Sequence, residues 1–195
     1  MEMLSSDNII KVLYYYNTWW SNGEVDPHLN KPKKRLAFYE AKKGFLHEDI
    51  KRVILLSGAR RTGKTTIMYQ MINYLMKEKS VSPKQILFIS FDHPLLKMCT
   101  IDKVLDIYKQ YIYEKDDFYC FFDEVQYADD WNMWVKILYD IKPNIRIMAT
   151  GSASPILNEK VQTESGLGRW ITIIVPTLSF YEYCDLLGIS KPDIK

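Results

Sequence analysis

The stretch Val53-Ile54-Leu55-Leu56-Ser57-Gly58-Ala59-Arg60-Arg61-Thr62-Gly63-Lys64-Thr65-Thr66 decides how this chain reads. Its run of branched apolar residues, Val53 to Leu56, suits a strand buried on both faces. Gly58 to Thr65 then match G-x-x-x-x-G-K-[ST] at every fixed position. Beyond them Ile67, Met68, Met71, Ile72, Leu75 and Met76 recur at helical spacing up to Lys79. Strand, glycine-bounded loop and helix, in that order, predict a loop that cradles phosphate. Gly58 and Gly63 let the backbone fold back so that successive N–H groups face one concavity. The helix beginning near Lys64 adds the positive end of its dipole.

The expected nucleotide-binding residues are therefore Gly58, Ala59, Arg60, Arg61, Thr62, Gly63, Lys64, Thr65 and Thr66. Lys64 supplies a point charge for the β- and γ-phosphates of a nucleotide, and the Thr65 hydroxyl is a ligand for Mg²⁺.

Outward from this segment, strands and helices alternate. Further strands are expected at Ile86–Ile89, Phe118–Phe122, Ile145–Ala149 and Trp170–Val175. Helical patterns cover residues 101–114, 131–141 and 180–187. That alternation predicts an α/β fold: a five-stranded parallel sheet sandwiched by helices, with its ligand at the carboxyl ends of the strands. Residues 1–50 read as an N-terminal extension, residues 51–190 as the core and residues 191–195 as a tail. In the extension, residues 7–20 carry a helical stripe in which Trp19 and Trp20 anchor the helix on the core. Lys31, Lys33, Lys34 and Arg35 read as a solvated basic loop.

Three further segments carry chemistry. Phe118-Tyr119-Cys120-Phe121-Phe122 ends in Asp123-Glu124, 59 positions beyond Lys64. Asp123 is placed to hold Mg²⁺, and Glu124 to polarise the water that attacks the γ-phosphate. Residues 102–130 hold nine acidic residues against three lysines, and these two carboxylates alone close an apolar strand. At the end of the fourth strand lie Thr150-Gly151-Ser152, where Thr150 or Ser152 can hold the water or sense the phosphate. Arg169, before the fifth strand, is either a surface arginine or a finger for a neighbouring copy's γ-phosphate.

Composition sets the frame. The 195 residues are 47% hydrophobic and 26% charged with a net charge of +2, which gives a sizeable core and excludes a dense positive coat for nucleic acid. Cys99, Cys120 and Cys184 are sparse and unpaired by spacing, as in a reducing compartment. With neither a secretory signal nor a long apolar run, a soluble cytoplasmic protein is expected.

Together these motifs resemble the AAA+ ATPases, and more closely their archaeal-type ATPase branch. The resemblance runs from about residue 36 to 187: Arg60 to Thr66, Phe91-Asp92, Asp123 to Gln126, Trp131 or Trp134, Leu138-Tyr139-Asp140, Thr150 to Ser152, Gly168-Arg169, and Leu178 to Tyr183. It implies ATP hydrolysis with Lys64, Thr65, Asp123 and Glu124 in the phosphate, metal and water-activating places, and Thr150 to Ser152 as the sensor. It implies Arg169 as a finger acting in trans, hence self-association, and a DNA or protein partner bound through regions further on. Members of that branch continue into a helical lid, which implies weaker ATP binding for a core that ends without one. The alternatives are a module that senses nucleotide without hydrolysing it, or one that associates with DNA through the basic loop. A GTPase is a third reading. Ser190-Lys191-Pro192-Asp193 nearly matches a guanine-reading motif and Asp185 to Gly188 a switch motif, but the latter should close the Asp123 strand.

Overall fold

The computed structural model describes residues 5–152 and 168–189. The expected tail and the guanine-like motif at residues 190–193 lie outside the described residues. Five parallel strands form one sheet: β1 (Val53–Ser57), β2 (Ile86–Ser90), β3 (Tyr119–Asp123), β4 (Arg146–Gly151) and β5 (Trp170–Ile174), in the spatial order β2-β3-β4-β1-β5. The helices between them are α4 (Lys64–Glu78), α5 (Pro94–Lys97), α6 (Ile101–Tyr111) and α7 (Trp131–Ile141), with α8 (Phe180–Leu187) after β5. Every residue of β1 and β2 is buried, as their unbroken apolar runs require.

The order matters for chemistry. The crossover through α4 carries the chain from β1 past two positions to β2, and β4 returns to fill the place beside β1. Ile54 pairs with Met148 and Ser57 with Gly151, while Phe122 of β3 pairs with Ala149. The ends of β1, β3 and β4 thus stand side by side, at the edge where loops from a parallel sheet bind ligands.

The first 50 residues share this core. α1 (Ser6–Tyr16) buries Ile9 and Leu13, and α3 (Leu36–Phe45) buries Ala37, Phe38, Ala41 and Phe45. Gly44 permits that approach, since a Cβ there would lie 2.9 Å from Ile54 Cδ1 of β1. The expected helix over residues 7–20 is broken in two because Asn17 leaves it. Asn17 Nδ2 donates to Phe88 O at 2.8 Å, and Phe88 N donates to Asn17 Oδ1 at 2.7 Å. The helix resumes as α2 (Trp19–Asn22), and both Trp19 Nε1 and Trp20 Nε1 donate to Ile86 O. The two indoles are buried anchors on β2, as expected. α3 was not legible as a helix because its apolar positions are interrupted by Lys42, Lys43 and Gly44.

Candidate functional site

The loop between β1 and α4 owes its shape to backbone that few residues tolerate. Gly63 sits at φ +89° as the cap of α4, and Arg61 adopts φ +63°, an uncommon conformation for a side-chain-bearing residue. Gly58 is required by crowding: a Cβ there would stand 2.3 Å from Val175 O. Lys64 is almost fully buried, and its ammonium donates to Gly58 O at 3.0 Å and Ala59 O at 2.8 Å. The charge is held inside the turn of the loop. The Thr62 hydroxyl braces the same turn by donating to Ala59 O.

At the tip of β3, Asp123 joins three elements. Thr65 Oγ1 donates to its two carboxylate oxygens at 3.0 and 3.1 Å, and Thr150 Oγ1 donates to Oδ1 at 2.5 Å. Burial pushes the Asp123 carboxyl up to about 6, opposed by those hydroxyl hydrogen bonds and reinforced by the nearby Glu124 and Asp92 charges. A buried carboxylate held by hydroxyls, with further carboxylates nearby, has the hard oxygen donors that Mg²⁺ prefers and an excess of negative charge for it to offset. Thr65 and Asp123 therefore fit Mg²⁺.

Glu124 takes φ +50°, which turns the chain sharply out of the strand. Its backbone N–H donates to Thr150 Oγ1 at 3.0 Å, and its Oε2 accepts from Gln126 Nε2 at 2.6 Å. So the Thr150 side chain meets the cluster, while Ser152 lies just past the end of β4. Beside Glu124 opens a cleft of about 540 Å³ lined by Arg60, Arg61, Asp92, Lys97, Glu124 and Tyr127.

The other side of the loop is different in character. A smaller cavity of about 180 Å³ is lined by Lys31, Arg35, Thr66, Ile67, Gln70 and Leu178, among others. Its wall is held by two side chains whose roles the sequence does not disclose. Gln70 Nε2 donates to the carbonyls of Lys31 and Lys33 at 2.7 and 2.8 Å. Arg35 donates to Thr62 O at 2.6 Å, to Pro176 O at 2.9 Å and, through Nε and Nη2, to both carboxylate oxygens of Glu182. The basic segment is therefore pinned to the phosphate loop and to α8. That Arg35 contact holds the Glu182 carboxyl below its ordinary range. The basic run was the visible signal, but the partners of Arg35 are 27 and 147 residues away.

Arg169 is not brought into this cluster. It precedes β5, where its carbonyl accepts from Val53 N at the beginning of β1, and its guanidinium pairs with Asp140 at 3.0 Å. The loop follows the far end of β1, roughly 16 Å along the strands at ~3.3 Å per residue. Within one copy Arg169 and the phosphate loop stand at opposite ends of the sheet.

Residues 50–184 match the model of a family described as an AAA domain. The chain belongs to that AAA domain family. With the parallel sheet and the loop at the end of β1, this gives the chain the α/β P-loop fold of the AAA type. Relatives include two uncharacterized proteins of Methanocaldococcus jannaschii. One is 36% identical over 140 residues, covering 67% of this chain and 28% of the relative. The other is 31% identical over 132 residues, covering 68% and 28%. An uncharacterized protein of Haemophilus influenzae is 28% identical over 149 residues, covering 74% and 36%. This AAA domain thus spans about a third or less of the length of these relatives. Among the described residues no helix is long and apolar enough to cross a membrane.

Proposed function

We propose that this AAA domain binds Mg²⁺-ATP and hydrolyses it to ADP and phosphate. The observation that carries the reading is the junction of Thr65, Asp123, Glu124 and Thr150 beside the loop holding Lys64. Loop N–H groups and the amino end of α4 receive the phosphates, and Lys64 leaves its carbonyl partners for them. Mg²⁺, when held by Thr65 and Asp123, neutralises phosphate charge. Glu124 accepts a proton from a water as its oxygen bonds to the γ-phosphorus, and the bond to the bridging oxygen breaks with its electron pair leaving on ADP. Clasped by Gln126 and set on a sharp turn, Glu124 is aimed rather than mobile. A general base serves hydrolysis more than transfer to another acceptor.

The cavity on the far side of the loop supports a nucleoside as the remainder of the ligand. It is largely apolar, it adjoins Thr66 and Ile67 at the start of α4, and a planar base fits such a space. The order of motifs from Arg60 to Tyr183 supports the archaeal-type branch as the part of the family most similar to this chain.

The test combines two measurements on the same preparation. Calorimetry should show Mg²⁺-dependent ATP binding in the wild type, and Lys64→Ala should abolish it. Release of labelled phosphate from ATP should then depend on Glu124. Tight binding of ATP with no phosphate released, by this chain or by a longer form that includes the regions its relatives carry, would replace hydrolysis with nucleotide sensing.

A further inference from the structure

Breaking the γ-phosphoryl bond spreads negative charge over its oxygens, and a cation placed there accelerates the step strongly. Arg169, the residue expected for this task, is paired with Asp140 at the amino ends of the strands. Three other cations line the cleft beside Glu124: Arg60, Arg61 and Lys97. Two of them share one aromatic mount. Arg60 Nη2 donates to the Tyr127 hydroxyl, and Lys97 Nζ stands over the Tyr127 ring, 4.8 Å from its centre. Tyr127 closes the short turn Val125–Tyr127 that begins at Glu124, so the mount and Glu124 are the two ends of one turn. Arg60 itself is exposed at the cleft. It lies in the phosphate loop next to Arg61, whose positive φ sets the loop's course, and both line the cleft.

We propose that Arg60 is the cation that stabilises the transferring phosphoryl group, supplied from within the same chain, with Tyr127 as its positioning residue. The inference rests on the ATP reading above. A guanidinium suits the task because its planar fork of N–H donors matches phosphate oxygens and keeps its charge. Lys97, spread over the ring face, adds positive potential to the same cleft. The carboxylates of Asp92 and Glu124 offset two of the three positive charges and leave the cleft with an excess of one for the polyphosphate. One copy of the chain then holds base, metal ligands and transition-state cation together.

The experiment uses ADP with aluminium fluoride and Mg²⁺, which mimics the phosphoryl group in flight. Titration calorimetry reads affinity and sedimentation reads the mass of the complex. Wild type should trap the mimic as a monomer. Arg60→Ala should lose roughly a thousandfold more affinity for the mimic than for ADP alone, the low end of the 10³ to 10⁵ in rate that such cations supply. Millimolar guanidinium should restore part of that loss, which a merely structural defect would not allow. Tyr127→Phe, which keeps the ring under Lys97 and frees Arg60, should lose about tenfold by the same reasoning. Trapping by Arg60→Ala equal to wild type, with ADP binding normal, overturns this proposal alone. So does trapping that requires a dimer and is lost in Arg169→Ala. A wild type that binds neither ADP nor ATP overturns the nucleotide reading and this proposal with it.

Discussion

The Thr150 hydroxyl lies 2.5 Å from Asp123 Oδ1 and 3.0 Å from the backbone nitrogen of Glu124, so one side chain on β4 fixes both acidic residues at the tip of β3. The contact exists because β4 is inserted between β1 and β3. A sheet in which β3 lay directly against β1 would place no β4 hydroxyl there. Thr150→Val keeps the shape and removes donor and acceptor together. It leaves a backbone N–H and a buried carboxylate short of a partner each, so we expect a loss of about 1–3 kcal/mol in urea unfolding. ATP turnover should fall further than ATP affinity, and Thr150→Ser should recover both. Unchanged stability and turnover in Thr150→Val would show that the hydroxyl is incidental.

Glu124→Gln separates binding from chemistry. The amide is nearly isosteric and preserves a contact with Gln126, but it accepts no proton. ATP affinity should stay within a few-fold of wild type while phosphate release drops roughly 10²- to 10⁴-fold, the usual contribution of a general base. Equal release by the two proteins would remove Glu124 from the mechanism.

Asp123 makes the unliganded protein sensitive to pH in an unusual direction. Its folded value of about 6 lies above the ~3.9 of an unfolded aspartate, so the native state retains a proton that the unfolded chain gives up. The stability contributed by this group is complete below about pH 4 and is lost as pH rises through about 6. The two-unit displacement corresponds to on the order of 3 kcal/mol. Unfolding in EDTA between pH 4 and 8 should therefore show Asp123→Asn gaining on wild type as pH increases, and Mg²⁺ should narrow the gap. Parallel pH profiles for the two proteins would refute the assignment.

Arg35→Ala should weaken two properties at once. It strips Thr62 O, Pro176 O and Glu182 of a shared donor whose side chain is only 10% exposed. Loss of a mostly buried, multiply bonded cation predicts a destabilisation of roughly 2–4 kcal/mol in denaturant unfolding. Nucleotide affinity should decline with it, because the phosphate loop loses its tie to the basic segment. Since the partner carboxyl of Glu182 is held below its ordinary range, the stability from this pair is present above about pH 4.5 and disappears as pH falls through the lowered value. Arg35→Ala should accordingly flatten that part of the acid limb; an unaltered limb counts against it.

The sheet and the phosphate loop were legible because each rests on local pattern: apolar runs for strands, and fixed residues within eight positions for the loop. Asp123 and Glu124 were legible for the same reason, as polar residues ending an apolar strand. Arg35, Gln70 and Tyr127 were not. Each acts through a partner far away in sequence, and nothing in a basic run, a helix glutamine or a turn tyrosine names that partner. Arg169 shows the converse. Its motif was visible, but its ion pair with Asp140 was not, and parallel register places it at the amino ends of the strands, away from the loop of its own copy. The break in the first helix was hidden because a single polar residue within an apolar stripe can also sit on the helix surface, and only the pairing of Asn17 with Phe88 decides.

That pairing has a consequence for how copies of the chain behave toward one another. The carbonyl of Ile86 and both polar groups of Phe88 face outward from β2 and are occupied by Asn17, Trp19 and Trp20. An exposed strand flank is a template on which a second polypeptide can zip. Here three side chains from the amino-terminal helices stand in for that missing strand, each imitating a piece of peptide bond without offering a further flank of its own. The amino-terminal segment is thus a stopper: it ends the sheet where a foreign strand would otherwise continue it.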